Sequence, residues 1–490
     1  MPVKKQRIDQ LTRGGVVLGW DRGQRSMLLN CEDTHTLVIG STRSGKTRTV
    51  VLPSIMAMAL AGESIIATDP KGELYGYTGP TLRRLGYEVV TIDFKYPQRS
   101  DRYNFLQPVL DAALLQDIPL AVSCARDIAQ LLVPDAERHT DPIWLDGERS
   151  VLTTGILAVS LECKDPLCQN MANVRAFLAN MCAPIGEKQR LPLVAYLADL
   201  PEDSPLKLAM AIAQIAPEKM RGSFYTSALA TLDKFQDPPV HAMSALTDYD
   251  YVTTGDRKRA IFLILPDERS AYYPLAALYV YEQYQALVAY ADERGGRLPR
   301  RVNFMLDEFG NFCRIPDFDK FVTVGGGRGV RFHLFLQDLG QLKNKYGEDL
   351  AGTISSNCET WIYIFTRDPK TREDLCRQLG KYTIKAPSLS GSSGGQQSAS
   401  YNYAGRDLLT VDEIEKLKRP YQLLISRYGK AVMYVPDLAQ TPFNRILGMG
   451  DEEHNSNLLL YRLTGRPERP TKTHFWGVWE EYIQRLKVQL

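Results

Sequence analysis

Three groups of residues in this chain have the types and spacing to handle a polyphosphate. The first is Gly40-Ser41-Thr42-Arg43-Ser44-Gly45-Lys46-Thr47, which fits G-x-x-x-x-G-K-[ST] at every fixed position. In such a loop the glycines let backbone N–H groups turn inward around a phosphate chain, and the helix opening behind it adds its partial positive charge. Lys46 would reach the β- and γ-phosphates, and Thr47 would set its hydroxyl on a magnesium ion. The second group is Asp307-Glu308, closing an apolar run. Asp307 is suited to hold magnesium or its water ligands, and Glu308 to polarise a water for in-line attack on the γ-phosphate. A lone acidic pair is a common surface feature; downstream of a phosphate loop it becomes the second half of a hydrolytic site. The third group is Gln337 and Arg328. The Gln337 amide can hydrogen-bond the attacking water or the γ-phosphate, unless it is a plain surface glutamine. Arg328, in Gly325-Gly326-Gly327-Arg328-Gly329, could stabilise charge on a transferring phosphoryl group, unless it is only an arginine near a flexible turn.

These residues need a frame that brings chain-distant loops together. Leu37, Val38 and Ile39 read as a buried strand, and a helix runs from the phosphate loop to about Leu60. Ser64 to Asp69 and Tyr87 to Asp93 read as further strands, with helical residues up to Leu85 between them. This alternation predicts an α/β domain with a mostly parallel sheet covered on both faces. Asp69-Pro70-Lys71-Gly72-Glu73 ends one of these strands, where charged residues are often functional, but spacing gives it no specific role. Residues 1–35 carry short β-like pieces, predicted to form a small hairpin.

From about Asp111 to Asp237 the apolar spacing changes to three and four, with Trp144, Val151, Leu152, Gly155, Ile156 and Val159 on one helical face. That pattern predicts an all-α domain inserted into the α/β domain, in a position where insertions often carry specificity. The sheet then resumes at Ala260 to Leu265. An amphipathic helix is predicted over Tyr272 to Ala291, and strands over Val302 to Leu306, Val330 to Leu336 and Trp361 to Phe365. Ser388 to Ser400 is low in complexity and reads as a mobile loop. Thr410 and Glu413 have capping-box spacing. Tyr421 to Tyr428 and Ala431 to Val435 read as a hairpin around Gly429-Lys430. The amphipathic end, Phe475 to Leu490, puts Phe475, Trp479, Tyr482, Ile483 and Leu486 on one face, for packing on its own domain or against a partner. The expected map is a nucleotide-binding domain over 1–110 and 238–445, an all-α domain over 111–237, and a tail over 446–490.

Composition narrows the function classes. A net charge of +2 over 490 residues carries no global signature of nucleic-acid binding, although a basic channel fits within a neutral total. Eight cysteines without C-x-x-C spacing argue for a reducing compartment and against a zinc site. No apolar run approaches the roughly 18 residues that span a bilayer. Met1 to Arg7 has no apolar region behind it and is not a signal peptide.

Taken together, the motifs resemble the type IV coupling proteins of conjugation and type IV secretion, the TraG-type ATPases. The resemblance runs from about Gly15 to Pro436. It rests on the phosphate loop, T-D-P-K-G-E-L (Thr68 to Leu74), L-D-E-F-G-N-F (Leu306 to Phe312) followed by Arg314-Ile315-Pro316, and G-R-G (Gly327 to Gly329). It continues through Gln337 with Gln341-Leu342 and Tyr346-Gly347, and ends in R-D-L-L-T-V-D-E-I (Arg406 to Ile414). It implies a RecA-like P-loop NTPase domain plus an all-α domain for substrate recognition, with ATP and Mg2+ as cofactors. It also implies a hexameric ring hydrolysing ATP between subunits, with Arg328 reaching a neighbour's nucleotide and Gln337 sensing the γ-phosphate. The implied partners are DNA, a relaxase or another secreted protein, and the components of a secretion channel. Most members begin with membrane-spanning segments and this sequence has none. The expectation is a cytoplasmic protein, peripheral at the inner face of the membrane and recruited by a membrane-anchored partner, or one whose span was removed; the Met1 start favours the first. Two other readings compete: an adaptor that binds ATP for docking and barely hydrolyses it, and a DNA translocase of the FtsK/HerA type. DNA-stimulated hydrolysis separates motor from adaptor.

Overall fold

A computed structural model describes residues 3–8, 11–21, 26–134, 141–266, 270–391, 397–449 and 451–488. In chain order the strands are β1 (Val3–Arg7), β2 (Val16–Asp21), β3 (Ser26–Asn30), β4 (Thr36–Gly40), β5 (Ser64–Asp69), β6 (Glu88–Asp93) and β7 (Arg259–Ile264). They continue as β8 (Val302–Leu306), β9 (Val330–Leu336), β10 (Thr360–Phe365), β11 (Lys381–Gly391), β12 (Gln397–Asp407), β13 (Tyr421–Ser426) and β14 (Gly429–Tyr434). The chain divides into two compact units. One holds Met1–Ile65, Arg301–Gly310 and Phe318–Asn455; the other holds Ile66–Arg300, Asn311–Asp317 and Ser456–Leu490.

In the first unit the main sheet runs in the order β14-β13-β10-β4-β9-β8. The β10–β4, β4–β9 and β9–β8 pairs are parallel, while β13 joins β10, and β14 joins β13, antiparallel. The central strands are buried at every residue, as in a sheet covered on both faces, which is why β4, β8 and β9 read as continuous apolar runs rather than alternating ones. Parallel pairing sets the carboxyl ends of β4, β9 and β8 side by side, with Ile39 opposite Leu336 and Leu306 opposite Leu334. Ligand sites of α/β sheets form at that edge.

Several expectations need correcting. The first residues form not a hairpin but a three-stranded antiparallel sheet, β1-β3-β2, because β3 pairs on both sides. The helix after the phosphate loop opens as a π-helical turn, Thr47–Val51, and becomes α-helical at Leu52–Leu60, where Pro53 has no N–H to give to the turn before it. Gly325 to Gly327 lie inside the helix Phe318–Arg328, not in a flexible turn. Gly326 explains why: a Cβ there would sit 2.4 Å from the Asp33 carbonyl oxygen, so only glycine lets this helix approach that backbone. Ser388 to Ser400 is not a free loop where it is described; β11 and β12 pair in register out to Gly391 and Gln397, and residues 392–396 lie outside the described set. Low complexity speaks of side chains, whereas the ladder is made by backbone. The β13–β14 turn falls at Arg427-Tyr428, so Gly429 and Lys430 already belong to β14. Thr410 and Glu413 form the full capping box of the helix Val411–Glu415.

In the second unit β6 and β7 pair in parallel. Helices fill the chain from Gln107 to Met243, several with side-chain N-caps supplied by Asp117, Asp141 and Asn170. Pro142–Leu157 is their centre, buried through Val151 to Leu157, while Trp144 is 41% exposed despite sharing the expected face. Tyr273–Asp292 is buried around most of its circumference rather than amphipathic. It even encloses Glu282, which accepts the Tyr103 hydroxyl at 2.8 Å and whose carboxyl burial holds well above the usual range. The end of the chain packs within this unit. Arg466 donates to Thr91 Oγ1 and Asp93 Oδ2, both at 2.5 Å, Trp476 stacks on Phe177, and Tyr482 meets Tyr196 edge-on. Phe475 precedes the last helix, Trp479–Val488, instead of sharing its face. Among the described residues no helix is long and apolar enough to cross a membrane.

Candidate active site

The phosphate loop leaves β4 at Gly40 and closes tightly, with the Ser44 amide donating to the Ser41 carbonyl at 3.0 Å. Arg43 stands in left-handed backbone at φ +64°, and Gly45 lies at φ +98°. A Cβ on Gly40 would come within 2.5 Å of Ser44 Oγ and 3.0 Å of Lys46 Cγ. The first glycine of the motif therefore keeps the cradle open, as only that residue can. Lys46 is 5% exposed, directed under the loop at the start of the helix.

At the ends of the neighbouring strands two further predicted residues meet it. Lys46 Nζ donates to Glu308 Oε1 at 3.4 Å, and Gln337 Nε2 donates to Glu308 Oε2 at 3.1 Å. Residues 46, 308 and 337 thus form one hydrogen-bonded chain, each from a different strand end. The sheet order places Gln337 on the strand between the other two. Gln341 holds Gln337 in turn, its Oε1 accepting the Gln337 amide at 2.9 Å. Gln341 also lies against Gly310, where a Cβ would be 2.2 Å from its Oε1. Asp307 is 8% exposed and its Oδ1 accepts the Glu308 amide at 3.0 Å. Glu308 itself has φ +52°, left-handed backbone that disfavours a side chain of its size.

These residues fit a magnesium nucleotide. Ser44 Oγ is buried at the cradle without a hydrogen-bond partner among the described residues, while the Arg48 and Thr49 amides close the opening turn on the Gly45 carbonyl. Lys46 pairs with a carboxylate at the place where phosphate oxygens are expected, and Thr47 and Asp307 supply the hard oxygen donors that Mg2+ takes.

The fourth predicted catalytic residue is elsewhere. Arg328 ends the helix that enters β9 at its amino end, whereas Gln337 follows that strand's carboxyl end. The seven residues of β9 separate the two by about 20 Å at ~3.3 Å per residue, beyond the reach of any side chain. Asp69 caps the turn after β5: its Oδ2 accepts the Tyr75 amide at 2.9 Å, with Gly72 at φ +71° opening the helix Glu73–Arg84.

Sequence reasoning missed three contacts around the loop. Arg419 donates from Nε to the Ser44 carbonyl at 2.6 Å and from Nη2 to the Arg43 carbonyl at 2.8 Å. Arg48 makes a two-pronged pair with Asp437 at 2.7 and 2.5 Å, holding that carboxyl below its usual range. No local spacing signals either one.

The comparisons with known proteins agree with the motifs. A family model described as type IV secretory system conjugative DNA transfer matches residues 2–434. Protein VirD4 of Agrobacterium fabrum is 28% identical over 394 residues, covering 77% of this chain and 54% of that protein. The type IV secretion system-coupling protein VirD4 of Bartonella quintana is 23% identical over 440 residues, covering 85% of this chain and 66% of that protein. This chain therefore spans about half the length of the first of these relatives. Among solved structures, the unbound bacterial conjugative coupling protein TrwBdeltaN70 matches with a TM-score of 0.64 at 18% identity, over 90% of this chain and 95% of that one. The shared fold is a P-loop α/β sheet with a large helical region. TrwB has also been solved with ADP and Mg2+, matching at a TM-score of 0.62 and 17% identity over 89% of this chain and 96% of that one. The phosphate loop, the acidic strand end and the glutamine strand end thus sit in a chain that belongs to the type IV secretory system conjugative DNA transfer family.

Proposed function

We propose that this chain is an ATP-hydrolysing coupling protein that recruits a relaxase–DNA complex, or another protein substrate, and delivers it to a type IV secretion channel. The observation that carries this reading is the chain of Lys46, Glu308 and Gln337 at three adjoining strand ends. A nucleotide store needs the lysine; only a hydrolase needs the carboxylate and the amide beside it. The TrwB complexes with ADP and Mg2+ and with an ATP analogue support the choice of cofactor.

In this reading Lys46 exchanges Glu308 for the β- and γ-phosphate oxygens. The released Glu308 carboxylate accepts a hydrogen bond from the attacking water, and Gln337 keeps that carboxylate turned toward it. The amides of residues 45–47 take up phosphate charge, and Gly40, Ser41, Thr42, Arg43 and Ser44 shape the cradle. Magnesium held by Thr47 and Asp307 would neutralise developing phosphate charge. Arg328, far from its own Glu308, is assigned to the nucleotide of a neighbouring copy, which makes the active form a ring, hexameric by family resemblance. A membrane-anchored partner would bring that ring to the cytoplasmic face of the membrane.

The test is ATP turnover with and without single- and double-stranded DNA. Stimulated turnover that Lys46→Ala and Glu308→Gln both abolish is the expected outcome. Nucleotide binding by the wild type with turnover no higher than Glu308→Gln, under every DNA condition and with the channel partner added, would favour the adaptor.

A further inference from the structure

The phosphate loop of this chain is gripped from outside by a residue that no motif contains. Arg419 lies between the helix Val411–Glu415 and β13, and it is 375 positions from Ser44 in sequence. Its guanidinium spans two consecutive loop carbonyls, Ser44 O at 2.6 Å and Arg43 O at 2.8 Å. It also lies flat against Gly45: a Cβ there would stand 2.2 Å from Nη2 and 2.4 Å from Cζ. The second glycine of the motif is thus required twice, by its φ of +98° and by the arginine laid across it.

We infer that Arg419 is a positioning residue for nucleotide binding, acting through the backbone of the phosphate loop. The inference rests on the reading of this loop as an ATP site. In a trans peptide the C=O and the following N–H point in opposite directions. Fixing the Ser44 carbonyl outward on a guanidinium therefore fixes the Gly45 N–H inward, toward the cradle. A charged donor on the carbonyl also polarises that peptide, making its N–H a stronger donor to phosphate oxygen. The bond to the Arg43 carbonyl holds the one loop residue that has a side chain in left-handed backbone.

A second strap accompanies the first. Arg48, in the opening turn of the helix behind the loop, is clamped by Asp437, and the Val435 amide donates to the Pro420 carbonyl at 2.7 Å. Both straps leave from the base of the β13–β14 hairpin, one from each end. The loop and its helix are held against the same base, so the loop is preorganised before ligand arrives, and preorganisation appears as affinity.

The experiment compares wild type, Arg419→Ala, Arg419→Lys and Lys46→Ala as full chains. It measures binding of a fluorescent ATP analogue with Mg2+, steady-state turnover, and hydrogen exchange of the amides of residues 43–47 in ligand-free protein. Arg419→Ala is expected to raise Kd and KM about tenfold, the scale of a charge-assisted hydrogen bond, with kcat changed less than twofold and loop exchange accelerated. Arg419→Lys, which keeps the charge but not the planar fork that spans the two carbonyls from Nε and Nη2, should recover only part of the affinity. Millimolar methylguanidinium should restore binding to Arg419→Ala and leave Lys46→Ala unaffected. Unchanged Kd and loop exchange in a folded Arg419→Ala overturn the inference. If Arg419→Ala does not fold, Arg419→Lys decides alone: wild-type affinity in it overturns the inference. Wild type that binds no nucleotide would instead remove the ATP-site reading on which the inference stands.

Discussion

Glu308 carries the sharpest tension at the residue scale. It is the proposed base, it is bonded by Lys46 and Gln337, and its backbone is left-handed. Left-handed backbone in a residue with a long side chain costs about 1 kcal/mol or more, and such strain concentrates at active sites. The order of two inert variants should therefore invert the usual one. Glu308→Gly is expected to be more stable than Glu308→Ala by about 1 kcal/mol in urea unfolding, because glycine alone relaxes at positive φ. Equal or reversed stabilities would show that residue 308 is not held there. Most of the candidate site was legible at this scale because its parts are short and local: eight consecutive residues, an acidic pair, one glutamine. Arg419, Arg48 and Asp437 were not legible, since each contact joins segments more than 370 positions apart and uses residue types common on any surface.

At the scale of elements, the strands were read correctly wherever burial on both faces gave an uninterrupted apolar run. The errors fell where backbone geometry overrode composition. Three glycines in a row suggested a turn, yet the helix Phe318–Arg328 passes through them because its backbone must approach Asp33. A Cβ at Gly327, by contrast, meets nothing within 4 Å. Gly327→Ala should therefore stabilise the chain by about 0.5–1 kcal/mol through helix propensity. Gly326→Ala should lose that gain and more to the clash. Thermal midpoints moving in opposite directions would support this account, and midpoints that both rise would remove it. The serine- and glycine-rich stretch taught the converse lesson, since a main-chain ladder forms between β11 and β12 without informative side chains.

For the molecule as a whole, the strand–helix alternation gave the sheet, and the change of period gave the helical region. The end of the chain was harder to place. Its aromatic residues fit any apolar surface, and only the structure pairs Trp476 with Phe177 and seats Arg466 on Asp93. Arg328 raises the question that one chain cannot answer by itself, because a strand length separates it from Gln337. Arg328→Ala should keep nucleotide affinity within about twofold while losing turnover that depends on assembly, a split between binding and rate. Normal turnover by an assembled Arg328→Ala ring would end that assignment.

That separation has a consequence for dosage and inheritance. If each catalytic centre draws its lysine from one copy and its arginine from the next, two broken alleles need not add up to a null. A cell carrying Lys46→Ala and Arg328→Ala together would build mixed assemblies in which some seams pair an intact Lys46 with an intact Arg328. Transfer would return in part, although neither allele supports it alone. The same arithmetic limits each defective copy to one broken seam, so either allele expressed beside the wild type would be dominant over it only where the ring needs every seam intact.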